Sequence, residues 1–289
     1  MAAERLGMTG GGEERDDGAP ARPIRRRALF AAPLVLAAPP GFAAPAGLLD
    51  AARRAGRLRV ALTPALRSLP RPPAPPKAPA RDLLSEALAP RLAGLINLRA
   101  EIEQTRLPGE AIEWLAQGLV DVALPIALTR PAAREVMFAR PHLVTDLVVL
   151  APRGERQRRR LAEWTGVPLA GRARLLEALA DLGQPTELIS LLPAETPEAL
   201  EEALLRGEAY GALTTAVEAR ALQDRNPSRG WIIRTVLATQ PYAAATAFGE
   251  HDLRRALDQA VMLALEEGVV AGLFREAYGL PFPPLPEEH

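Results

Sequence analysis

From residue 48 onward the apolar positions alternate between helical and strand spacing almost to the C-terminus. Leu58, Val60 and Leu62 alternate with Arg57, Arg59 and Ala61 as in a half-buried strand. Helical spacing resumes at Leu83, Leu84, Ala87, Leu88 and Leu92, followed by a strand at Leu98, Ala100 and Ile102. Ile112, Leu115, Ala116 and Leu119 form a further helix face, which leads into a buried-type strand at Val120, Val122 and Leu124. A second set follows Pro152. It predicts a charged helix over 155–163 with its arginines in water, a strand over 167–170, and a helix over 172–182 with Leu175, Leu176 and Leu179 inward. A strand over 188–192 comes next. Thr196-Pro197-Glu198 then opens a helix with an N-cap hydroxyl, proline at the first position and an acid in the first turn. Strands over 209–214 and 231–238 complete the set. Strands alternating with helices predict parallel sheets covered by helices. The proline-rich stretch 64–80 fits neither a helix nor a central strand.

Composition narrows the function classes. A chain of 289 residues can bury one large core or two smaller ones. Its formal net charge of +0 removes any electrostatic case for capturing nucleic acid or an anionic membrane surface. Lys77 is the sole lysine, so arginine is the default cation and single arginines carry little information. With no cysteine there is no disulfide, thiolate metal site, cysteine nucleophile or lipidated N-terminal cysteine. Neither a metal-spaced cluster nor a glycine-rich phosphate loop nor a Gly-x-Ser-x-Gly elbow is present, so no cofactor and no metal are expected.

Residues 1–46 predict a leader plus an export signal. Residues 1–24 have no apolar period, and Met8 is a second potential start. Arg25, Arg26 and Arg27 precede an apolar run over 28–38 that is short for a bilayer span. Small residues then suit cleavage near Ala43 or Ala46, which implies a periplasmic protein. Arg26-Arg27-Ala28-Leu29-Phe30 resembles a twin-arginine signal, and the basic region of an ordinary signal has the same look. An uncleaved amphipathic or disordered tail is the alternative.

Residues 120–142, VDVALPIALTRPAAREVMFARPH, resemble the central segment of bacterial family 3 extracellular solute-binding proteins. Counted from Asp121, Thr129 falls at that family's second threonine and Phe138 nine residues later, with Pro141 and a ring at His142 following. Residues 48–63, 200–215 and 253–279 are similar to further family segments, in the same order, so the resemblance covers roughly 48–280. It implies a two-lobed α/β fold of the type II periplasmic-binding class, each lobe a mainly parallel sheet with covering helices. Lobe one would be 47–151 plus 239–289 and lobe two 152–238, hinged near Leu150 and Ala238, with a cleft that closes on ligand.

The polar contents of that frame are depleted. The family's carboxylate-binding arginine corresponds to Ala132 and its ammonium-binding aspartate to Thr215. Its Gly-Ser/Thr-Thr turn corresponds to Gly171-Arg172-Ala173, and its first ligand loop to the proline-rich stretch, which lacks the acid and the aromatic. Neither Arg130 nor Arg134 replaces the arginine at 132, since two residues along a helix turn by about 200°. Thr129, Arg172 and Thr215 are the remaining candidate ligand contacts. Thr129 also suits a helix N-cap, Arg172 a surface arginine, and His142 either a structural or a catalytic role. The resemblance implies a periplasmic receptor for a less polar or anionic solute, not a standard amino acid, partnered by an ABC permease or another periplasmic or membrane protein. Two alternatives remain open: a ligand-free accessory or sensory protein, and a dehydratase-like enzyme. The enzyme lacks an acid matched to the cleft.

Overall fold

The computed structural model describes residues 47–70, 80–154 and 158–285, all within one compact unit spanning Ala44–His289. The predicted export signal lies outside the described residues. Helix α1 (Leu48–Ala55) stops at Gly56, whose φ of 66° is the left-handed conformation that glycine adopts without strain. Strand β1 (Arg57–Leu62) follows, then α2 (Leu83–Leu95), β2 (Arg99–Gln104), α3 (Pro108–Ala116) and β3 (Val122–Ala127). The next strand, β4 (Val136–Pro152), is 17 residues long. After it come β5 (Leu169–Gly171), α4 (Ala173–Asp181), β6 (Leu191–Pro193), α5 (Pro197–Arg206), β7 (Gly211–Thr215) and α6 (Ala216–Arg225). A second 17-residue strand, β8 (Trp231–Ala247), precedes α7 (His251–Glu266) and α8 (Val269–Tyr278). Thr196 caps α5 as its sequence suggests, its hydroxyl accepting from the Ala199 amide at 3.2 Å.

The strands form one hydrogen-bonded sheet in the order β2-β1-β3-β8-β4-β7-β5-β6. Its two ends are parallel triplets, β2-β1-β3 and β7-β5-β6, as strands alternating with helices require. Between them β4 and β8 run antiparallel, paired from Val136↔Ala247 to Pro152↔Trp231 and broken by several register shifts. Bulged ladders bend and twist. Two separate groups of cores result. Val60, Leu92, Val122, Leu257 and Val261 pack on the first half, with α1, α2 and α7. Val148, Leu150, Leu200, Leu222 and Trp231 pack on one face of the second half, and Leu147, Val149, Leu161, Trp164 and Leu179 on the other.

Two local expectations fail. The charged helix over 155–163 is absent from its described part, where residues 158–160 are irregular and Leu161–Trp164 is a 3-10 turn. Its arginine run is not uniformly solvated either, because Arg158 stacks on Trp164 with its guanidinium 5.0 Å from the ring centroid. Strand β8 also runs nine residues past the predicted end at Ala238, because Gln240, Pro241 and Tyr242 extend the pairing with β4.

Candidate ligand cleft

A cavity of about 240 Å³ opens between the two halves of the sheet. The first half contributes Ala65 after β1, Ile112 of α3, Ile126 and Ala127 of β3, the turn Thr129–Ala132, and Tyr242 of β8. The second half contributes one face of α4: Arg174, Leu175, Glu177, Ala178 and Asp181. Leu147 and Gln240 of the two long strands line it as well. Ala127 and Ala132, the latter at the position of the family's arginine, leave that wall apolar. Gln240 spends its amide hydrogens on the Leu128 and Pro241 carbonyls at 3.2 and 3.0 Å, which pins the turn carrying Thr129.

Gly171 sets where α4 begins. A side chain there would place Cβ 2.7 Å from the Leu213 carbonyl oxygen and 3.1 Å from Leu191, because β5 is squeezed between β6 and β7. Gly171→Ala is therefore expected to destabilise the chain by about 1–3 kcal/mol through overpacking, read as a lower urea midpoint at unchanged slope.

The three candidate contacts have different fates. Arg172 is 3 % exposed and turned inward, its Nη2 donating to Glu218 Oε1 at 2.6 Å and its Nε to the Glu195 carbonyl at 3.2 Å. Glu218 also accepts from the Thr214 hydroxyl, so the carboxylate is enclosed by its own protein. The Ala173 amide, at the head of α4, donates to Glu195 Oε1 at 3.3 Å. Thr215 is the N-cap of α6, its hydroxyl accepting from the Glu218 amide at 3.3 Å, and it does not line the cavity. Thr129 does line it while accepting from the Ala132 amide at 3.3 Å, so it caps a turn and faces the cleft together. His142 is fully buried, lies outside the cleft lining, and has no hydrogen-bond partner on either ring nitrogen.

Arg174 is the residue that sequence reasoning missed. It is half-buried, and its one hydrogen bond among the described residues is a long one, Nη2 to the Pro64 carbonyl at 3.5 Å. Burial and the neighbouring Arg172 push its pKa down from the ordinary arginine value. A guanidinium nevertheless stays charged in proteins. Glu177 and Asp181 correct a second expectation, that no acid reaches the cleft: both stand on its rim, exposed. The signal was present as spacing. Arg174, Glu177, Ala178 and Asp181 sit at i, i+3, i+4 and i+7 of one helix face. With Leu175 and Leu179 taken as the inward face, that polar stripe looks like any solvated one. Chemically the cleft is an apolar slot holding one weakly engaged cation. Among the described residues, no group of three His, Asp or Glu is placed to hold a metal ion.

No protein-family model matches the chain, and no curated protein sequence does either. Solved structures do. An amino acid ABC transporter substrate-binding protein, AbpA from Streptococcus pneumoniae, bound to L-arginine, superposes with a TM-score of 0.65 at 16% identity, over 80% of this chain and 98% of that one. A histidine kinase sensor domain with similarity to periplasmic binding proteins gives 0.62 at 19% identity, over 78% and 98%. The ancestral amino acid-binding protein AncCDT-1, a precursor of cyclohexadienyl dehydratase, gives 0.63 at 16% identity, over 81% and 100%. In its fold this chain is a two-lobed α/β protein like the periplasmic solute-binding proteins that residues 120–142 resemble.

Proposed function

We propose that the chain is an exported periplasmic receptor for a small, largely apolar monoanion, serving an ABC-type uptake system. The observation that carries this reading is the cleft itself: apolar walls around the single guanidinium of Arg174. Such a slot suits a carboxylate whose remainder is hydrocarbon. The acid meets Arg174 and Thr129, and the body is buried against Ile112, Ile126, Leu175 and Tyr242. The zwitterionic amino acids are disfavoured. Glu177 and Asp181 are exposed, and an ion pair left in water contributes little. The packing of the cores supports a division into two lobes. Leu147 and Ala238 pack in a core of the second half, while Leu143 and Tyr242 pack in a core that α2 and α8 share with Val217 of α6. Lobe one is accordingly the N-terminal segment from residue 47 and the C-terminal segment to 289, lobe two the insertion, and the chain crosses near 144–146 and 239–241.

The test is a thermal-shift panel. A true ligand at 100 times its dissociation constant stabilises a fold by about 2.7 kcal/mol. Hexanoate, benzoate and short branched 2-oxo acids are expected to raise the melting temperature, and the twenty amino acids are not. Arg174→Gln is expected to weaken carboxylate binding about 10- to 100-fold, as loss of a charge-assisted hydrogen bond implies. A shift with an amino acid that disappears in Asp181→Asn would overturn the reading. A second reading has one observation in its favour. Arg172, the Ala173 amide and Thr215 are all satisfied internally, as in a protein that keeps the fold as an accessory or sensory partner and binds no solute. A panel with no shift at all favours it.

A further inference from the structure

The segment joining β1 to α2 leaves the first half of the sheet and fastens onto the second. Its base is closed by a reciprocal backbone pair, Ser68 amide to Arg81 carbonyl and Arg81 amide to Ser68 carbonyl, each 3.1 Å. Beyond that base, Leu69 is 3 % exposed and belongs to the core of the second half, with Val148, Leu150, Ala170, Ala194 and Leu200. Ala80 packs at the edge of the same core, and its amide donates to Glu198 Oε1 in the first turn of α5 at 2.9 Å. The Pro70 carbonyl accepts from Arg225 Nη1 at 3.3 Å. That guanidinium is itself held on Glu201, by Nε at 3.0 Å and Nη2 at 3.1 Å. On the near side of the base, Ala65 and Leu66 share a core with Val217 of α6, and the Pro64 carbonyl faces Arg174 of α4.

This is not how a segment rests when it merely touches the opposite lobe. Leucine insertion excludes water from a core that would otherwise be open at that point, and the polar contacts land on three different helices of the second half. Proline suits the task. Pro64 and Pro70 in the described flanks carry no amide hydrogen to leave unpaired, and each limits the conformations its flank would gain on release. We propose that the described flanks of this segment, residues 64–70 and 80–82, are a built-in latch that holds the two lobes closed on each other whether or not a solute is bound. The hinge formed by β4 and β8 is then bent by design but not free to open, and the cleft is a preformed cavity. Access does not require the lobes to part: a recess beside Thr129, Arg130, Asp181 and Gly183 adjoins the cleft. This inference rests on the two-lobed fold and not on the identity of any solute.

The chain has no cysteine, so paired spin labels can be introduced cleanly in the full-length protein, at Glu113→Cys on α3 and Glu187→Cys beyond α4. Double electron–electron resonance without any added solute is expected to show one narrow distance distribution, unchanged by hexanoate. Leu69→Ser is expected to raise the open fraction on the order of 10- to 100-fold, the factor that burial of one leucine implies, so that a second, longer distance appears. The milder pair Leu69→Ala with Glu198→Ala gives the same second distance if the serine variant does not fold. Two populations in the unliganded parent chain, or a distribution unaltered by a folded variant, would overturn the latch. Because no solute enters the decisive measurement, failure of the latch and failure of the carboxylate reading are separate outcomes.

Discussion

Arg172→Met is expected to lower stability by about 3–5 kcal/mol, with a fall in melting temperature of about 10 °C or more. The guanidinium and the Glu218 carboxylate are almost wholly inaccessible, their side chains 4% and 1% exposed, and their contact is 2.6 Å. Removing the cation strands a carboxylate in a low-dielectric interior, where an unpaired charge is far costlier than an unpaired neutral group. The double variant Arg172→Met, Glu218→Leu is expected to recover most of the loss, because it removes both charges and substitutes packing. A surface arginine held in reserve for an anionic solute behaves differently: its removal costs under about 0.5 kcal/mol and is felt only in binding. Urea unfolding of the two variants therefore separates an internal ion pair from a ligand anchor, and a loss under 1 kcal/mol in the single variant would refute the pairing.

The second large effect is a loss of stability in mild acid that depends on His142. Burial pushes its imidazole down to about 4 from the ordinary 6.5. Above pH 6.5 both folded and unfolded chains carry a neutral ring, and the residue contributes no pH dependence. Between pH 6.5 and 4 the unfolded chain takes up a proton that the folded chain refuses. Stability falls through that window, by about 3 kcal/mol in all, and levels off below it. His142→Leu has nothing to titrate at this position, so the stability difference between parent and variant should be flat from pH 8 to 6.5 and then move against the parent. A difference that stays flat down to pH 4 would show that the ring is reached by water or a proton donor. The position matters because His142 lies in β4 within the second of two adjacent register shifts, the one from Pro141 to Leu143, on the strand that crosses between the lobes.

Much of the architecture was legible before any coordinates. Periods of 2 and 3.6 locate Leu58, Val60 and Leu62 in β1 and Leu175 and Leu179 on the buried side of α4. Thr196-Pro197 marks the start of α5. These are local rules: each depends on side chains within a turn or two along the chain, so the linear order suffices. Even the depletion of charge at Ala132 could be read, since an alanine side chain supplies no hydrogen bond wherever it sits.

What a residue does with a charge or hydroxyl depends instead on what comes to it from elsewhere in the chain. Arg172 meets Glu218, 46 positions away, and becomes part of a core; Arg174, two residues on, points past Leu175 into the cleft and meets a carbonyl 110 positions away. Both are arginines at the head of one helix, and only the packing of β7 and α6 against β5 distinguishes them. Leu69 presents the same contrast. In sequence it is one apolar residue in a proline-rich stretch with no period, which suggests a loop in water. Folded, it closes a core belonging to the opposite half of the protein, because burying a leucine side chain outweighs the entropy lost in ordering it.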